Sequence, residues 1–91
     1  MISDENTWMR LWGVLDYGNG TEIAYIYRLG SNGKPIKPFL RKYVVSTDLP
    51  MTIQRTLGGG KYWVMIRDRR KLVFSGGISV CSLVSDTRRY S

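Results

Sequence analysis

Ninety-one residues with 43% hydrophobic and 12% aromatic content are too apolar for a disordered chain and too few for more than one core. A net charge of +7, no histidine and a single cysteine remove the histidine base, the histidine-containing triad, the internal disulfide and the cysteine-rich zinc site. The acids Asp4, Glu5, Asp16, Glu22, Asp48, Asp68 and Asp86 include no pair at a spacing typical of metal or acid–base chemistry. The chain therefore reads as a binding protein rather than an enzyme, with no cofactor and no metal.

Residues 1–6 read as a loose polar lead, too acidic and too poor in apolar residues for a signal peptide. Residues 7–17 admit two forms. As a helix, Trp8, Leu11, Trp12 and Leu15 make one stripe, and Gly18 follows its end. As a strand, the segment pairs across Gly18-Asn19-Gly20 with the run that follows. Gly13 in mid-segment and the aromatic and β-branched content favour the strand.

Residues 21–29, rich in isoleucine and tyrosine, read as a second strand. Residues 31–38, with two prolines and an Asn-Gly step, read as a loop, and residues 39–46 as a third strand. Thr47 or Asp48 caps a short helix to Leu57, because Pro50 is tolerated in a first turn. Leu49, Ile53 and Leu57 form its buried stripe. Gly58-Gly59-Gly60 stops this helix and leads into a strand at residues 61–67. The turn Asp68-Arg69-Arg70 joins it to a last strand at residues 71–80. Residues 82–91 read as a flexible tail whose Arg88-Arg89-Tyr90 can add a phosphate clamp.

The predicted order is β-β-β-α-β-β without internal repeats. It implies a single-domain α+β fold over residues 1–91, a single antiparallel sheet of about five strands with one short helix on one face. The step from the short helix through Gly58-Gly59-Gly60-Lys61-Tyr62 into a strand resembles small viral and mobile-element proteins. That resemblance covers this stretch alone and implies a phage or viral source without implying an activity.

The charge is concentrated. Arg28, Lys34, Lys37, Arg41, Lys42, Arg55, Lys61, Arg67, Arg69, Arg70 and Lys71 face only Asp48 and Asp68 between residues 28 and 71, a local excess of +9. An excess of this size is the footprint of a polyanion binder. Period-2 alternation then sorts the strand side chains. Ala24, Ile26, Leu40, Val44, Val64, Ile66, Leu72, Phe74 and Ile78 form a helix-facing set, with Tyr62 at its margin and its hydroxyl in water. Tyr25, Tyr27, Phe39, Arg41, Tyr43, Lys61, Trp63, Met65, Arg67 and Lys71 form an opposite set in which rings alternate with cations.

Rings beside cations on a sheet suit a single-stranded nucleic acid, whose bases stack while its phosphates meet the charges. The expected function is weakly sequence-specific binding of single-stranded DNA or RNA. Tyr25, Tyr27, Tyr43 and Trp63 are the candidate stacking residues, and Arg41, Lys61, Arg67, Arg69, Arg70 and Lys71 the candidate phosphate contacts. Two alternatives remain open: an accessory or inhibitor protein docking on an acidic partner, and a self-assembling subunit that buries the aromatic face in a homo-oligomer. The longest apolar run, Tyr62 to Ile66, is far short of the about 20 residues that span a bilayer, so no membrane partner is expected. The lone Cys81 points to a reducing, cytoplasmic setting, the host cytoplasm for a viral protein.

Overall fold

The computed structural model describes residues 5–18 and 20–80. Its elements are α1 (Glu5–Tyr17), β1 (Glu22–Leu29), β2 (Pro35–Val44), α2 (Leu49–Leu57), β3 (Lys61–Asp68) and β4 (Lys71–Ser79). The four strands form one antiparallel sheet in the order β2-β1-β3-β4. The α+β class and the single antiparallel sheet are as expected, with four strands rather than five. An α-β-β unit occurs twice in succession, with the first strand of each unit pairing at the centre of the sheet. The expected tails at residues 1–6 and 82–91, the Arg88-Arg89-Tyr90 clamp included, lie almost wholly outside the described residues; only Glu5 and Asn6 fall inside, as the start of α1.

Residues 7–17 are helical, which corrects the strand expectation and removes the hairpin across Gly18-Asn19-Gly20. Packing decides the matter. Leu11, Trp12 and Leu15 recur at helical spacing and are all buried in one core. A strand would have sent Trp12 to the face opposite Leu11 and Leu15. α1 lies against β4, where the Arg10 guanidinium sits 5.3 Å from the Phe74 ring centroid. Gly76 keeps that strand low, so Thr7 Cγ2 stands 3.7 Å from where a side chain at Gly76 would begin.

α2 forms as its sequence implies. Pro50 occupies the first turn, and Leu49 and Ile53 are buried with Leu57 packed against them. Asp48 occupies the N-cap position, but its carboxylate accepts from the Ser46 hydroxyl instead of capping the helix. The helix ends at Gly58, whose φ of 90° favours glycine. Tyr62 then donates its hydroxyl to the carbonyls of Leu57 and Gly58 at 3.1 and 3.0 Å. That hydroxyl was expected in water; it is used instead to satisfy the open end of α2.

The core joins Leu11, Trp12 and Leu15 of α1 and Leu49 and Ile53 of α2 to Ala24, Ile26, Val64, Ile66, Phe74 and Ile78 of the sheet. Cross-strand partners share a face. The pairs Ala24–Ile66, Ile26–Val64 and Ile66–Phe74 therefore put both helices on the same side. Among the described residues, the other side carries no helix. Three residues expected in the core are exposed instead: Leu40 at 40%, Val44 at 63% and Leu72 at 46%. Val44 pairs with Ile23, and Leu72 with Arg67, on the helix-free side. No helix among the described residues is long and apolar enough to cross a membrane.

Candidate nucleic-acid interface

The helix-free face is built from β1 and β3 outward. Tyr25 pairs with Met65, Tyr27 with Trp63 and Ile23 with Arg67, so these six side chains form a two-column array. Lys61 continues the β3 column by alternation and is exposed. Tyr25, Tyr27, Trp63 and Met65 are half-buried. The Trp63 Nε1 is shielded from solvent and has no acceptor among the described residues.

Edge strand β2 supplies a further ring by an irregular route. Ile26 pairs with Arg41 and Arg28 with Ile36, so Tyr27 alone stands opposite Lys37, Pro38, Phe39 and Leu40. Proline has no N–H to give to the ladder, and Pro38 follows a cis peptide bond within this bulge. The bulge changes the phase of the strand. Phe39 is carried onto the helix-free face, where its ring meets Tyr25 edge-on at 5.1 Å and Tyr27 at 6.2 Å.

Past the bulge, Arg41 and Tyr43 fall on the helix side, which corrects their expected placement. Tyr43 pairs with Ala24 and packs against the core. Its hydroxyl bonds to Thr56 Oγ1, whose own proton goes to the carbonyl of Thr52, so Tyr43 is the donor. It ties β2 to α2 and is withdrawn from any stacking surface. Arg41, paired with Ile26, is an exposed cation on the helix side of the edge. The position it was expected to hold belongs to Lys42, which pairs with Tyr25. The two prolines at Pro35 and Pro38 were the available signal that alternation could not run unbroken through this strand.

The β3–β4 turn carries Arg69 and Arg70 at its tip, both exposed, with Lys71 exposed at the start of β4. Its base is tied to the start of β1 by Thr21, whose hydroxyl donates to Asp68 at 2.6 Å. Arg69 has φ 59°, a left-handed conformation that non-glycine residues rarely adopt. At the other end of β3, a shallow hollow lies beside Lys61, lined also by Leu29, Gly30, Ser31 and Gly33.

The structure thus brings Tyr25, Tyr27, Lys61, Trp63 and Arg67 onto one face and sets Arg69 and Arg70 at its end. It turns Lys71, expected on that face, to the helix side, because Lys71 pairs with Asp68, which in turn pairs with Glu22. It separates Arg41 and Tyr43 from them and adds Phe39 and Lys42. Clusters of three or more metal-ligating side chains are absent among the described residues. Planar rings backed by a rigid sheet can stack on unpaired bases, and cations at the margins can meet phosphates without being buried. No protein family, curated protein or solved structure matches the chain.

Proposed function

We propose that this protein is a small basic binding module for single-stranded nucleic acid, with weak sequence specificity. The observation that carries the reading is the cross-strand pair Tyr27–Trp63 on a sheet face that α1 and α2 leave uncovered, joined by Tyr25 and Phe39 and bounded by Lys61 and Arg67. Four rings beside cations are poor material for a second core, since charged groups resist full burial. They match what single strands require, because stacking accepts any base and phosphates carry no sequence. Within this reading Tyr25, Tyr27, Phe39 and Trp63 stack, and Lys42, Lys61, Arg67, Arg69 and Arg70 meet the backbone. Duplexes keep their bases stacked on one another and offer the rings nothing.

Fluorescence anisotropy with labelled single strands and the matching duplex tests the proposal. Single strands bind more tightly at equal length and salt, and Tyr27→Ala narrows the difference. Equal affinity for the duplex, undisturbed by Tyr27→Ala, would reduce the interaction to charge alone.

A second reading rests on β2. This edge strand exposes Ile36, Leu40 and Val44, and exposed apolar edges invite pairing with another chain. Its Lys37, Arg41 and Lys42 favour an acidic extended segment over a second copy of a chain that is itself +7. Sizing chromatography at low and high salt separates the two: self-assembly through this edge shows as a dimer at both.

A further inference from the structure

We infer that the single strand lies along β3, from the hollow beside Lys61 to the Arg69–Arg70 turn, rather than across the sheet. The inference rests on the nucleic-acid reading above and adds a direction and a length to it.

The chemistry of the face differs along its two axes. Along β3 the helix-free side reads Lys61, Trp63, Met65 and Arg67, with a cation at each end and the Tyr27 and Tyr25 rings beside the middle. Beyond Arg67 the chain turns through two more arginines. Across the sheet, the row through Tyr25 runs from Lys42 through Met65 to Ser75, and the row through Trp63 ends on Gly77. A polyanion laid across the Tyr25 row meets one cation, Lys42, and none beyond it. One laid along β3 meets charge at both ends and rings between them.

Length agrees with this path. The six steps of strand from Lys61 to Arg67 span about 20 Å at ~3.3 Å per residue. The track suits a strand of about four nucleotides, the low end of the site sizes known for compact single-strand binders.

The turn supplies an independent argument. Asn and Gly are the residues that suit a positive φ in a two-residue hairpin turn, yet this one holds Arg69 at φ 59°. A long cation kept where the backbone disfavours it points to a use for its side chain. Thr21 pins the adjacent Asp68, so the tip stands on a fixed base at the end of the track.

The test uses the full chain and fluorescein-labelled oligo(dT) of three, five and eight nucleotides at low salt. Affinity rises about tenfold from three to five nucleotides as the outer phosphates reach the turn, then changes only by the number of registers. The variant Arg69→Asn with Arg70→Gln suits the turn and keeps the fold, checked by its urea midpoint. It abolishes the step between three and five nucleotides. Lys42→Ala lowers trimer and pentamer alike and keeps the step. A step that survives the turn variant but disappears with Lys42→Ala would overturn the direction and favour a path across the sheet. Absence of binding at every length would overturn the nucleic-acid reading itself. Oligoglutamate of equal charge binding as tightly as oligo(dT) would replace the occupant with an acidic protein segment.

Discussion

Two tryptophans of one chain sit on opposite faces of the same sheet and should answer to mutation in opposite ways. Trp12 is 2% exposed and packed in the core, so Trp12→Ala should cost about 3–5 kcal/mol of stability. Trp63 is only half-buried on the helix-free face. If it stacks on bases, Trp63→Ala lowers single-strand affinity by about 1–3 kcal/mol, with a smaller loss of stability than Trp12→Ala. Paired urea unfolding and anisotropy on both variants make the comparison. A larger stability loss from Trp63→Ala would mark it as a core residue and remove it from the stacking set. Arg69 gives a sharper contrast. Left-handed backbone costs an L-residue about 1–2 kcal/mol, and Asn bears it better. Arg69→Asn should therefore raise the urea midpoint while weakening oligonucleotide binding. A midpoint that falls would mean that the arginine side chain holds the turn together.

At the scale of elements, α1 and α2 are held by different means. α1 depends on its buried stripe, and Gly13 within it has nothing within 4 Å of where a Cβ would stand. Gly13→Ala should stabilise the protein by about 0.5–1 kcal/mol, the conformational entropy a helix-interior glycine wastes. Gly18 is the contrary case, because a Cβ there would stand 2.6 Å from the carboxylate of the buried Glu22 and 3.1 Å from the Val14 carbonyl. Gly18→Ala should destabilise. α2 depends on Tyr62 at its end, and Tyr62→Phe should cost about 0.5–1.5 kcal/mol by freeing two carbonyls from one hydroxyl.

For the whole molecule, the sheet divides the labour. Both helices cover one side, and most of the cationic excess of residues 28–71 is left to the other side, the turns and the edge. Lys42, Lys61, Arg69, Arg70 and Lys71 are exposed, so their field reaches solvent. If about four to six phosphates are neutralised, the log–log slope of single-strand affinity against salt should be roughly −3 to −4. A flat response in a salt titration would remove the electrostatic basis of the proposal. The repeated α-β-β unit closes one core from two similar halves. Each hairpin contributes one central and one edge strand, and each helix covers its share of one core.

The sequence by itself determined the α+β class, the antiparallel sheet, α2 with its Leu49–Ile53–Leu57 stripe, and the hairpin with arginines at its tip. Those features are local: glycine and proline punctuation, β-branched runs and four-residue spacing act within a few residues of each other. It also determined that β1 and β3 alternate core residues with Tyr25, Tyr27 and Trp63, because regular strands preserve their period. Only the tertiary structure decided that residues 7–17 are a helix, since the choice depended on whether Trp12 could be buried together with Leu11 and Leu15 against β4. It alone placed Arg41 and Tyr43 on the helix side and Lys42 on the other, beside Phe39, which was expected there. Alternation fixes relative phase along an unbroken strand, but only pairing with a neighbour fixes which face each phase occupies. A bulge that sets four residues against one reverses that assignment partway through β2.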